Sequence, residues 1–203
     1  MNNWTPAASL YTPQGERKYL TGPERERFIA TAGSYPCRDA ATLCLAIAHT
    51  GCRISEALSL YPTALQPATG LIAVRSLKKH GRLHVREIPA PDSLLEVLRE
   101  YCTGRPADRR IWPVSRSHAW RLVKAVMLEA AIAPGIHATP KGLRHGFGLH
   151  AIRSGVPLNL VQRWLGHASM VTTAIYLQAM GTEEREIASR MWTHAPGALS
   201  PPV

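Results

Sequence analysis

Apolar positions along the chain follow a helical rhythm at the start and end of the sequence and a two-residue rhythm in the middle. The stretch "TGPERERFIATAG" reads as a capped helix, with Thr21 as N-cap, Pro23 and Glu24 in the first turn and Gly33 at the end. In "DAATLCLAIAHTG" apolar residues fall nearly all round the helix, which predicts a central position in the core. A short helix, "ISEALSL", follows Gly51. The pattern then changes in "LIAVRSLKKHGRLHVREIPAP", where two β-type runs flank "KKHG" and predict a hairpin. Helical patterns return at about 92–102 and 117–132, and from Thr139-Pro140 to about Ser154, closed by Gly155. Pro157 opens another helix that Gly166-His167 breaks, a further helix carries Tyr176, and "TEEREIASRMW" forms the last. The expected fold class is mainly α with a small β-hairpin or sheet (α+β). One domain is expected over 19–194, between flexible tails at 1–18 and 195–203.

Composition narrows the class. With 203 residues, 45% hydrophobic and 19% charged, the chain has the make-up of a globular domain. The most apolar run, "ATLCLAIAHTGC", is too short to cross a bilayer, and "MNNWTPAASLYTPQG" lacks the basic and apolar regions of a secretory signal. The four cysteines form no C-x-x-C pair and read as reduced thiols, which points to a cytoplasmic protein. The nine histidines show no metal-ligand spacing, so no metal is expected. The net charge of +10 changes the picture most, because a domain this basic commonly tracks a polyanion such as nucleic acid.

Five local patterns carry candidate chemistry or DNA contact. In "TGCRISEALSL", Arg53 and Glu56 are three apart; they form either an inconsequential surface pair or an arginine held for a phosphate. In "TPKGLRHGFGLHAIRSG", Lys141 and Arg144 lie at a helix start that favours anions, and Gly148 allows a close approach one turn later. The glycines inside this helix cost about 1 kcal/mol each against Ala, so something must compensate. Lys78 and Lys79 at the hairpin tip are either solvated or able to reach a phosphate as a general acid. In "WLGHASMVTTAIY", His167 and Tyr176 are either bystanders in a helical hairpin or a phosphate ligand and a nucleophile. On the helix at 117–132, His118, Arg121 and Lys124 are either a groove-reading face or a solvated basic one.

Taken in order, "TG.R.SE", the basic hairpin ending in "IP", "LRH", "LGH" and "TT..Y" resemble the tyrosine recombinases, or phage-type integrases, from about Tyr19 to the C-terminal helix. The resemblance implies that family's catalytic-domain fold. It also implies site-specific cleavage and rejoining of DNA through a 3′-phosphotyrosyl intermediate, without ATP, cofactor or metal. By motif position, Arg53 and Arg144 clamp the phosphate, supported by Glu56. Lys78, favoured over Lys79 by strand register, protonates the leaving oxygen. His167 steadies the phosphate or the nucleophile, and Tyr176 attacks. Lys141 stands where the family usually has His. The family's N-terminal core-binding domain has no room before Arg53, a layout similar to the short invertases of fimbrial switches. The implied partners are double-stranded DNA with inverted-repeat half-sites, three further copies in a tetramer joined through the C-terminal helix (Ile187, Trp192), and an accessory DNA-bending protein; no membrane is involved. A non-catalytic DNA-binding regulator that keeps the fold is the alternative.

Overall fold

A computed structural model describes residues 9–77 and 83–177. Helix α1 (Gly22–Gly33) starts as the sequence predicts: the Thr21 hydroxyl accepts from the Glu24 N–H, and the Glu24 carboxylate accepts from the Thr21 N–H. Helix α2 (Arg38–Thr50) is the hub. It packs against α1, α4 (Asp92–Cys102), α5 (Arg116–Glu129) and α6 (Pro140–Arg153), which explains why its apolar residues leave no polar face. The short helix α3 (Ile54–Ala57) follows α2 across Gly51.

The hairpin is part of a three-stranded antiparallel sheet, in the order β1 (Leu65–Gln66), β2 (Leu71–Leu77), β3 (Leu83–Pro89). Strand β1 escapes the sequence pattern because two residues between proline-started turns are too few to show alternation. Lys78 and Lys79 fall between β2 and β3, outside the described residues. Helices α7 (Leu158–Leu165) and α8 (Met170–Ala174) close the described fold.

Three expectations need correction. Helix α5 begins at Arg116, capped by Ser115, and ends at Glu129 rather than Ile132. The chain turns there through Ala131 at φ 51°, and Ile132 reaches the core from that turn. Helix α8 ends at Ala174, so Tyr176 lies in the turn after it rather than on a helix. Part of the expected N-terminal tail is folded: Tyr11 bridges to Arg17, and Leu10 is buried beside Phe147, Val161 and Leu165. One buried leucine within a Pro- and Gly-containing stretch leaves no periodicity to read. The expected C-terminal helix with Ile187 and Trp192 lies outside the described residues.

Among the described residues, no helix is long and apolar enough to cross a membrane. Within that same set, no group of three or more His, Cys, Asp or Glu side chains is placed to hold a metal ion.

Candidate active site

Residues far apart in sequence converge on one cleft of about 810 Å³. Arg53, Lys141, Arg144 and His167 all line it, joined by Lys18 and Arg116, and none of the described residues lining it is acidic. Lys141 is exposed in the first turn of α6, where the unpaired N–H groups point toward the cleft end of the helix.

Arg144 is 6% exposed and has no carboxylate partner among the described residues. Its Nη1 donates to Gly51 O at 2.7 Å and its Nη2 to Leu165 O at 2.6 Å. Those carbonyls are the ends of α2 and α7, where the helix dipole is negative, and this is why a cation is tolerated in the interior. Burial, with Arg53 nearby, lowers its pKa to about 10, so it stays charged at neutral pH. The two tethers fix the plane of the guanidinium and leave its other donors for the cleft.

Arg53 sits at the N-cap of α3 and not within it. Its backbone N–H donates to Glu56 Oε2 at 2.8 Å and its Nη1 to Oε1 at 2.9 Å, while the side chain remains 48% exposed. Glu56 is held a second time, by Arg86 of β3, whose Nη2 lies 2.6 Å from Oε2. Burial alone would raise the Glu56 carboxyl pKa, but the bonds from Arg86 and then Arg53 outweigh it and keep the pKa below the ordinary value.

Tyr176 is fully buried. Its hydroxyl lies 3.1 Å from His145 Nδ1, and its ring lies near-parallel to His167, with 6.4 Å between centroids. His167 Nδ1 is in turn 3.0 Å from the Thr173 hydroxyl. Burial pushes the Tyr176 phenol up to about 12, although Arg144 and Arg53 pull the other way. Burial and the same cationic surroundings push His167 down to about 3, and burial with Lys141 pushes His145 down to about 4. At neutral pH the pocket therefore holds a protonated phenol between two neutral imidazoles.

The glycines of α6 have their compensation. A Cβ on Gly148 would sit 2.5 Å from Cζ of Tyr176, and one on Gly146 would sit 3.0 Å from the Leu20 carbonyl. Gly148 is the floor on which the Tyr176 ring lies.

Of the residues expected from sequence, Arg53, Lys141, Arg144 and His167 share the cleft, Glu56 stands behind Arg53, and Tyr176 lies beneath. Four further residues of the site carry no role in the sequence reading. Arg86 had a readable signal, since the alternation of β3 puts it on the inward face with Ile88 while Val85 and Glu87 face out. His145 is the last residue of the "LRH" motif, but nothing in sequence places it against a residue 31 positions later and so gives it a role. Lys18 and Arg116 are ordinary surface cations until the fold brings them to the cleft. On α5, His118 and Arg121 are exposed, but Lys124 donates to Ala138 O at 2.8 Å and so is held to its own chain.

The sequence matches the phage integrase family over residues 18–182. The tyrosine recombinase XerA of Pyrococcus furiosus is 30% identical over 188 residues, covering 88% of this chain and 63% of that protein. A crystal structure of XerA recombinase superposes with a TM-score of 0.70 at 26% identity, over 89% of this chain and 66% of that one. The catalytic domain of bacteriophage HP1 integrase superposes with a TM-score of 0.64 at 22% identity, over 89% of this chain and 98% of that one. The chain thus spans 58 to 63% of the length of the curated relatives it matches first. With the family's pattern matched across most of the sequence and its catalytic-domain fold reproduced, this chain belongs to the phage integrase family.

Proposed function

We propose that this chain is a site-specific DNA recombinase that cuts and rejoins strands through a 3′-phosphotyrosyl intermediate. One observation carries the reading: Arg53, Lys141, Arg144 and His167 converge on a single cleft whose described lining holds no acidic residue, and Tyr176 lies beneath it with its ring near-parallel to that of His167. A phosphodiester in the cleft meets the Arg53 and Arg144 guanidinium groups, which neutralise its non-bridging oxygens as charge builds in the transition state. Tyr176 Oη forms a bond to phosphorus, the bond from phosphorus to the 5′ oxygen breaks, and the departing oxygen takes a proton. The hairpin lysine, Lys78 or its neighbour Lys79, supplies that proton. The phenol proton leaves to a neutral imidazole, with His145 and His167 both beside it. A 5′ hydroxyl from another strand then reverses the step, so the energy of the broken ester is kept and no nucleotide is consumed.

Tyr176 is sealed from the cleft in the free protein, so attack follows a movement of the turn after α8, whose neighbours Thr172 and Ile175 line the cleft. Double-stranded DNA with inverted half-sites, a tetramer of this chain and an accessory DNA-bending protein complete the proposed assembly, acting on nucleoid DNA in the cytoplasm.

The test uses nicked duplexes built from the repeats flanking the reading frame, incubated in EDTA without ATP. The wild type is expected to form a denaturant-resistant protein–DNA adduct and Tyr176→Phe none. Sequence-specific binding without any adduct would overturn catalysis in favour of a DNA-binding regulator.

A further inference from the structure

Arg86 makes three directed bonds from a side chain that is 1% exposed. Nη1 and Nη2 grip Glu56 Oε1 and Oε2 at 3.2 and 2.6 Å, and Nε donates to Trp164 O at 2.7 Å. The same Glu56 holds Arg53 through its backbone N–H and Nη1. Gly166, next to His167, lies directly against the Arg86 guanidinium: a Cβ there would come within 3.2 Å of Cδ, Nε and Cζ. Gly166 is also in the left-handed region at φ 65°, which both explains the glycine and aims the chain into His167.

Arg86 thus stands between three parts of the site. It sits on the hairpin strand that leads from Lys78 and Lys79, its guanidinium fixes the carboxylate that orients Arg53, and its Nε anchors the end of α7 from which His167 projects. It reaches no ligand itself. We propose that Arg86 is a positioning residue for phosphate cleavage, acting by holding Glu56 so that Arg53 presents its free guanidinium edge to the scissile phosphate. This rests on the phosphate-cleaving reading of the cleft.

A purely structural role for a buried ion pair predicts that its loss harms every substrate alike. A positioning role predicts dependence on phosphate charge, because Arg53 has to neutralise that charge. The experiment compares two nicked duplexes, one with an ordinary phosphodiester at the scissile position and one with a neutral methylphosphonate there. The enzymes are wild type, Arg86→Lys, the double variant Glu56→Gln with Arg86→Met, and Arg53→Ala. The double variant removes both buried charges together, so neither is stranded, and it is expected to fold. Adduct formation by both Arg86 variants is expected to fall at least about tenfold on the phosphodiester. On the methylphosphonate they are expected to stay within about threefold of wild type, in parallel with Arg53→Ala. An equal fall on both substrates, or no fall on either, overturns the inference and leaves the reading of the cleft intact. A wild type inert on both duplexes overturns the reading of the cleft and the inference with it.

Discussion

Replacing Gly148 with Ala tests the placement of the nucleophile without touching any polar group. The added methyl would meet Tyr176 at 2.5 to 2.8 Å from Cζ, Cε2 and Cε1. Ordinary contact begins near 3.4 Å, so the ring must slide by about 0.9 Å. Overpacking of this kind costs about 1–3 kcal/mol, and a shift of that size loosens the 3.1 Å contact between the hydroxyl and His145, worth about 1 kcal/mol. Alanine in a helix returns about 1 kcal/mol over glycine. The net is a destabilisation near 2 kcal/mol, a fall in Tm of roughly 4–8 °C for a domain of this size. The catalytic loss is expected to be larger, since about 1 Å of misplacement at a reacting atom can cost on the order of a hundredfold. Thermal melts and the rate of adduct formation on nicked DNA measure the two effects. Gly148→Ala with wild-type Tm and wild-type cleavage would refute the packing of Tyr176 on α6.

Other perturbations probe the same site. Glu56→Gln leaves Arg86 buried without its counter-charge, and a drop of about 3–5 kcal/mol is expected in urea unfolding; a loss under 1 kcal/mol would mean that the pair is solvated. His49, His145 and His167 have folded pKa values near 4, 4 and 3, each lowered first by burial. Their unfolded values lie near 6.5, so as pH falls through that value the unfolded chain takes up protons that the folded chain refuses. Stability should therefore decline from about pH 6.5 toward 4, by up to roughly 1.4 kcal/mol per pH unit for each histidine; unchanged melts between pH 7 and 5 would contradict those burial shifts. The five basic side chains among the described residues that line the cleft (Lys18, Arg53, Arg116, Lys141 and Arg144) should together meet four phosphates on binding duplex DNA, because Arg53 and Arg144 share the scissile one. A slope of about −3.6 in log affinity against log salt is expected from those four phosphates, and a flat response would count against the cleft as the DNA face.

Much of this was legible in the sequence for identifiable reasons. The all-round apolar character of α2 announced its central position, and the Thr21–Glu24 box announced the start of α1, because both signals are local. The motif residues Arg53, Arg144 and His167 were readable because their spacing is tied to helix starts and stops. What escaped depended on long-range contact. Gly51 and Leu165 supply the carbonyls that let Arg144 be buried, and backbone carbonyls carry no sequence signature. The contact of His145 with Tyr176 needs α6 and the turn after α8 brought side by side. Arg86 lay between these cases: strand alternation pointed it inward, but an arginine in a solvent-edged hairpin looks like a surface cation until Glu56 is seen beneath it.

The most direct measurement is the identity of the residue that carries DNA in the trapped adduct. The adduct is digested with nuclease and protease, and mass spectrometry locates the attached nucleotide. A 3′-phosphonucleotide on Tyr176, in a reaction run in EDTA, is the predicted result. A nucleotide on any other residue, or one joined through its 5′ phosphate, would contradict the account.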